Sequence, residues 1–123
     1  RGFDILAHTA ALDIGQGCVV ANGLCLGFET LQGTDAMLRF VSETPEKLRH
    51  AAKGGVLVKT PKAGQDLRVD MPAVGPDTLR AAAKAGLNGI VITAGNVVVL
   101  DRPQIAKVAE DAGVFLWSAE PQE

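Results

Sequence analysis

Aromatic side chains are scarce in this sequence of 123 residues: it has no Tyr, one Trp (Trp117) and four Phe. Charge of either sign is close to balanced, with 12 basic against 14 acidic residues and a net charge of -2. A nucleic-acid binder needs a basic footprint or aromatic platforms for the bases, and neither is here. No apolar run approaches the roughly 18–20 residues that cross a bilayer. The most apolar segment, Ile90 to Ile92, is a buried-strand signal instead. A spanning helix is thereby excluded, while peripheral contact with a membrane stays open. No signal peptide is expected from this stretch, and a chain that begins at Arg1 without Met reads as a fragment or a processed piece.

Cysteine is equally sparse. Cys18 and Cys25 flank Asn22-Gly23, a strong two-residue hairpin turn. If Ala21 pairs with Leu24, then Cys25 faces Val20 and Cys18 faces Gly27. The two sulfurs then lie diagonally on one face, about 7–8 Å apart between backbones, at or beyond disulfide reach. Two free thiols suit a reducing cytosol, and a zinc site would need more ligands at tighter spacing. The two histidines look like surface residues, His8 off the apolar stripe of its helix and His50 near a helix C-terminus. No Ser–His or Cys–His pair is suggested, and Gly86, Gly89 and Gly95 form no dinucleotide-binding fingerprint.

What the chain does have is a folded composition, 47 % hydrophobic and 21 % charged. At this length a single domain over residues 1–123 is expected, built on one core. Phe3, Leu6, Ala7, Ala10 and Ile14 recur at helical spacing over about the first dozen residues. A hairpin comes next, Gly17 to Ala21 and Leu24 to Glu29. Thr34-Asp35 opens a helix to about Val41, and Thr44-Pro45 opens another to about Lys53, with Pro at its first position. Gly54-Gly55 ends it, and Val56 to Lys59 reads as a strand.

The second half repeats this order. Pro76 starts a helix with Leu79, Ala82, Ala83 and Gly86 inward, and Arg80 and Lys84 toward water. Gly89 to Thr93 and Val97 to Leu100 read as a hairpin around Ala94-Gly95-Asn96. Asp101 and Pro103 start a helix with Ile105, Val108, Ala109 and Ala112 inward, and Val114 to Trp117 is the last strand. The fold class is therefore α/β, a mixed sheet covered by helices and built from two α-β-β-α-β halves. The competing picture is a minimal three-strand hairpin domain.

Two stretches hold most of the reactive side chains. Between the halves, Thr60 to Gly75 carries Pro61, Gly64, Pro72 and Gly75 without sustained periodicity, and loops of about 15 residues in compact domains are usually functional or disordered. Around it run Lys59, Lys62, Gln65, Asp66, Arg68 and Asp70. Two carboxylates four residues apart among cations suit metal-assisted phosphoryl chemistry: hard oxygens hold Mg²⁺, cations neutralise phosphate charge, and a carboxylate orients or deprotonates water. A solvated loop with surface ion pairs, each worth little, explains the same residues.

The second stretch is Glu29 to Asp35. Glu29 closes a strand, Gly33 permits a tight turn, and Thr34 or Asp35 caps the next helix, whose free N–H groups can receive phosphate. Ordinary capping is the alternative. Both stretches come after strands, so topology allows them to converge on one end of the sheet. Lys47, Arg49, Lys53, Lys59 and Lys62 crowd one region; anionic lipid or substrate would suit them, although a solvated helix face explains most.

At these stretches the sequence resembles the LpxI-type UDP-2,3-diacylglucosamine pyrophosphatases of lipid A biosynthesis. The resemblance rests on Glu29-x-x-x-Gly33-Thr34-Asp35 and on Val58-Lys59-x-x-Lys62-x-x-Gln65-Asp66-x-Arg68-x-Asp70-x-Pro72-x-x-Gly75. It continues through Gly89 to Asp101 and on to Gly113. It implies a cytoplasmic hydrolase, peripheral to the inner membrane of Gram-negative bacteria. Such enzymes split the pyrophosphate of UDP-2,3-diacylglucosamine into UMP and 2,3-diacylglucosamine 1-phosphate with a divalent metal, Mg²⁺ or Mn²⁺.

Family members have two domains with the substrate between them, and this chain matches the C-terminal, catalytic one; a homodimer is a further implied partner. Gln32 departs from a more usual acidic residue, and without the N-terminal domain the isolated chain is expected to be inactive. Carried onto this sequence, the essential aspartate falls on Asp70, as metal ligand or water-orienting base, with Asp66 as the second metal carboxylate. Lys59, Lys62 and Arg68 become phosphate contacts. Glu29, Thr34 and Gln65 join them in binding substrate, with Asp35 lining the same cleft. Two rival readings remain: a non-catalytic phospholipid- or nucleotide-binding module, and a plain interaction domain whose helices dimerise.

Overall fold

Asn22 and Gly23 both take positive φ, 51° and 78°, and turn strand β1 (Gly17–Ala21) back on β2 (Leu24–Phe28). The structure, a computed structural model, describes residues 1–9, 16–50, 52–60, 73–93 and 97–119. Ala21 faces Leu24 and Val20 faces Cys25, as the turn dictates. Beyond them the register shifts at a bulge, so that Cys18 faces Phe28 rather than Gly27. Both cysteines are free, Cys18 buried and Cys25 exposed. Burial pushes the Cys18 thiol up to about 12, with the neighbouring Cys25 adding to the rise.

β3 (Val56–Lys59) pairs antiparallel with β1 on its other side. β4 (Ala73–Val74) comes next, then β5 (Gly89–Thr93), β6 (Val98–Val99) and β7 (Phe115–Ala119). β5 lies parallel to both β3 and β7, which gives a five-stranded sheet in the order β2-β1-β3-β5-β7. The continuous apolar run Gly-Ile-Val-Ile-Thr of β5 is what a parallel strand covered on both faces requires. β4 and β6 form a separate parallel pair. The expected hairpin of Gly89 to Thr93 with Val97 to Leu100 is therefore not made. Both edges of β5 are already taken by β3 and β7, so β6 pairs elsewhere; Ala94, Gly95 and Asn96 lie outside the described residues.

Helices cover both faces, and the fold is the mixed α/β architecture expected. α1 (Gly2–Thr9) sets Leu6, with Phe3 and Ile5, against Cys18, Val20 and Val58. Ala7, expected inward, is exposed, and positions 10 and 14 lie outside the described residues. On the other face α2 (Thr34–Ser42), α4 (Pro76–Lys84) and α5 (Arg102–Ala112) lie side by side. Leu38, Val41, Leu79, Ala82, Ile105 and Val108 meet Val19, Leu57 and Ile90 of the sheet there. Ala112 and Gly86 are exposed, because the first ends its helix and the second lies beyond α4. α2 crosses close over β2 at Gly27, where a Cβ would lie 2.9 Å from Val41 Cγ2 and 3.2 Å from Met37 Cγ.

α3 (Glu46–Arg49) is shorter than the pattern suggests, and extended Pro45 stands at its N-cap rather than inside it. Its last residue, Arg49, reaches beyond the helix. The guanidinium turns back to the carbonyls of Ala52 and of Gly54 (3.1 Å), and reaches across to Ala85 (3.2 Å) and Gly86 (3.4 Å). One side chain thus ties the turn before β3 to the end of α4.

Candidate functional site

β2 runs antiparallel to β1, and β1 antiparallel to β3, so β2 points the same way as the three parallel strands. The residues that finish β2, β3 and β5, namely Glu29, Lys59 and Thr93, therefore gather at one end of the sheet. Ligands in open α/β sheets favour this carboxyl end. All three are buried, as is Gln16, which precedes β1 at the same end. The period of two along β3 puts Lys59 on the face of Leu57, beneath the start of α2.

Glu29 and Lys59 meet there, with Lys59 Nζ 3.8 Å from Glu29 Oε1. Lys59 Nζ donates to Thr34 Oγ1 (2.9 Å), and the Thr34 hydroxyl donates onward to Glu29 Oε1. The second carboxylate oxygen accepts from the Gln16 backbone N–H (3.3 Å). Glu29 also lies beside the N-terminus of α2, whose dipole favours a negative charge. The residues are only 8 % and 6 % exposed, so two charges have been taken out of water together, which is tolerable only with this degree of hydrogen bonding.

The turn that delivers Thr34 is built locally. Gly33 N–H closes it on Thr30 O (3.0 Å), and Thr30 Oγ1 donates to Gln32 Oε1 (2.8 Å). Gly33 is the N-cap of α2 at φ 93° and ψ -179°, a region open in practice to glycine alone. Neither Thr34 nor Asp35 caps the helix, contrary to expectation. Thr34 is already inside it, which frees its hydroxyl to bridge Lys59 and Glu29. Asp35 is exposed and lines a groove with Arg39 and Lys84 between α2 and α4, away from the ion pair.

This cluster holds both ends of the charged connection. Thr60 N–H donates to Gln16 O (3.0 Å) where the chain leaves β3, and Lys59 Nζ reaches Ala73 O (3.5 Å) where β4 begins. Of the residues singled out from sequence, Glu29, Thr34 and Lys59 are brought together. Lys62, Gln65, Asp66, Arg68 and Asp70 lie outside the described residues. Gln16, Ala73 and Thr93 were not singled out. Thr93 carried a signal, a polar residue closing an apolar strand, whereas Gln16 and Ala73 act through backbone groups that leave none.

Glu29 already accepts a hydrogen bond on each oxygen and has the Lys59 ammonium 3.8 Å away, whose charge disfavours a metal cation at the same carboxylate. Among the described residues no three His, Cys, Asp or Glu side chains gather as a metal site would need. No helix among them is long and apolar enough to cross a membrane.

A family model described as the LpxI C-terminal domain matches residues 1–117. The chain is also 46 % identical, over its whole length, to the UDP-2,3-diacylglucosamine pyrophosphatase LpxI of Caulobacter vibrioides. That match covers 45 % of the relative, so this chain spans less than half of its length. The match takes in the Glu29, Thr34 and Lys59 cluster and the charged connection it anchors, and the chain belongs to the LpxI C-terminal domain family.

Proposed function

We propose that the protein carrying this chain hydrolyses the pyrophosphate of UDP-2,3-diacylglucosamine, releasing UMP and 2,3-diacylglucosamine 1-phosphate for lipid A biosynthesis. The observation that carries this reading is the buried Glu29–Thr34–Lys59 cluster at the carboxyl end of the sheet. It clamps both ends of the one segment rich in carboxylates and cations. Membership of the family, and the name of the relative from Caulobacter vibrioides, supply the substrate.

In this proposal the buried cluster positions and the connection reacts. Lys59 has its N–H groups directed at Thr34, Glu29 and Ala73, so it contributes a fixed positive field to an anion bound above it. Lys62, Arg68 and Gln65 contact the pyrophosphate oxygens. Asp70 orients or deprotonates the attacking water, and the electron pair of the broken P–O bond leaves with the other phosphate. Asp66 and Asp70 would hold Mg²⁺ or Mn²⁺, which supplies charge neutralisation on the phosphate oxygens. The reaction takes place in the cytoplasm at the inner membrane surface, with the rest of the enzyme, an N-terminal domain, closing over the substrate. Assembly as a homodimer belongs to the same proposal.

The test is UMP formation by the full-length protein with Mg²⁺, compared with EDTA and with Asp70→Ala. Equal amounts of UMP and the lipid monophosphate are expected from wild type only when metal is present. Undiminished turnover in Asp70→Ala, or in EDTA, would remove the assigned roles.

A further inference from the structure

β7 is an outer strand: β5 holds one of its edges, and no strand pairs with the other among the described residues. Natural proteins blunt such edges with charge, proline or a bulge. The opposite outer strand, β2, follows that rule, since its pairing with β1 carries a bulge. β7 has none of the three. Its five residues, Phe-Leu-Trp-Ser-Ala, hold no charge and no proline, and they pair with β5 residue by residue without a shift. Phe115 and Trp117 lie on the face of Val91, where α1 packs chiefly over β1 and β3, and they stay 45 % and 61 % exposed. The Phe115 ring leans back on Gly89, where a Cβ would meet it at 2.5 Å, so it is held in place beside the exposed indole.

We infer that a second copy of this chain docks on β7, strand against strand, about a two-fold axis through Trp117. The inference rests on the homodimer of the proposed function and names its interface. Backbone geometry selects the register. Phe115 N–H donates inward, to Asn88 O (3.1 Å), so by alternation the backbone groups of Leu116 and Ser118 face the open edge. An antiparallel partner centred on Trp117 sets Leu116 opposite Ser118 of the second copy, and each such pair exchanges two backbone hydrogen bonds. Trp117 then meets its own copy and Phe115 meets Ala119, at the positions where side chains approach most closely. Large thus stands opposite small on either side of the axis. A two-fold contact also sets any charge at its centre against itself, and this strand brings none. The pairing joins the aromatic rings of both copies into one cluster, over the part of the sheet that α1 leaves open.

The experiment uses the full-length protein, with its mass from sedimentation velocity and the exchange of its β7 amides from mass spectrometry. Wild type is expected at twice the mass of one chain at micromolar concentration, with the Leu116 and Ser118 amides protected. Trp117→Lys and Trp117→Glu each place like charges on the axis and should raise the dissociation constant about tenfold or more. Mixing the two should restore the dimer, because a two-fold contact at residue 117 turns their repulsion into attraction. Ser118→Pro removes an outward N–H without touching the pairing with β5, and should weaken the dimer as well. Leu24→Lys, exposed on the other outer strand, is the control and leaves the mass unchanged.

Circular dichroism melting checks that each variant folds, and substitutions of side chain and of backbone keep the result independent of either kind. A monomeric wild type overturns the inference, whether its β7 amides exchange freely or are protected by the rest of its own chain. So does a dimer that every variant leaves intact, or a mixture of the Lys and Glu variants that stays monomeric. Lost sedimentation of Trp117→Lys with phosphatidylglycerol vesicles, at an unchanged mass, overturns it in favour of a lipid surface. A wild type that releases UMP as a monomer removes the interface alone, whereas a dimer that releases none removes the pyrophosphatase reading alone.

Discussion

Replacing Lys59 by Met keeps the stem of the side chain and removes the amine, which leaves the Glu29 carboxylate buried without a cation. The side chains of this pair are only 7 % and 11 % exposed, so water does not step in to screen the loss. Breaking such a pair from one side costs about 3–5 kcal/mol. Glu29 keeps the Thr34 hydroxyl and the Gln16 N–H, so the lower part of that range applies, about 3 kcal/mol. Adding Glu29→Gln removes the orphaned charge while preserving an acceptor. The double variant should recover about 2 kcal/mol relative to the sum of the single ones, a coupling expected of residues in contact.

Urea unfolding of the chain, tracked by the fluorescence of its single Trp117 and by circular dichroism, measures all four corners of the cycle. Turnover of the full-length protein separates positioning from stability: the double variant regains its fold and not its rate, because the far end of the charged connection loses the Lys59 contact to Ala73 O and the buried positive charge is gone. Single substitutions costing under about 1 kcal/mol, with additive effects in the double, would refute a functional clamp at this position.

The thiols, the Arg49 tie and the Gly33 turn each have a measurable consequence. Cys25 should react with a thiol reagent at neutral pH in the native protein while Cys18 does not, which mass spectrometry of the labelled chain checks. Because the Cys18 pKa is raised to about 12 from an ordinary 9.0, its unfolded thiol ionises first. Stability is therefore full below pH 9.0 and falls as pH rises toward 12, readable from urea midpoints across that range. Arg49→Ala leaves carbonyls at the end of α4 and before β3 without their donor and should cost about 2 kcal/mol in urea unfolding. Arg49→Lys should restore only part of it, since an ammonium does not span the same acceptors. Gly33→Ala strains the turn at φ 93°, costing about 1–3 kcal/mol in urea unfolding, and should lower turnover as well by displacing Thr34.

The first hairpin was legible because Asn22-Gly23 fixes both turn and pairing over a few residues, and β3, β5, α4 and α5 announced themselves through apolar runs and flanking Gly or Pro. The pairing of β4 with β6 was not. Each has two residues, and their partners are distant in sequence, so no local pattern records the contact. The bulge in the hairpin left no local pattern either; it lies between Val19 and Val20, next to Gly27, over which α2 packs closely. At the site, strand ends and charge singled out Glu29, Thr34 and Lys59 one by one. Their union as a buried, hydrogen-bonded pair was not legible, because it depends on β2, β1 and β3 lying side by side. The order of elements in the two halves is alike, yet β1 and β2 pair while β5 and β6 do not, so the repeat lies in sequence pattern more than in contacts.

The most direct test of the proposed site is a structure of the full-length protein with 2,3-diacylglucosamine 1-phosphate bound. The phosphate is expected at the carboxyl ends of β2 and β3, above Glu29 and Lys59. A cation of the 60–72 segment should lie within about 3 Å of its oxygens. A phosphate held at the opposite end of the sheet, beside Arg49 and Lys53, would contradict it.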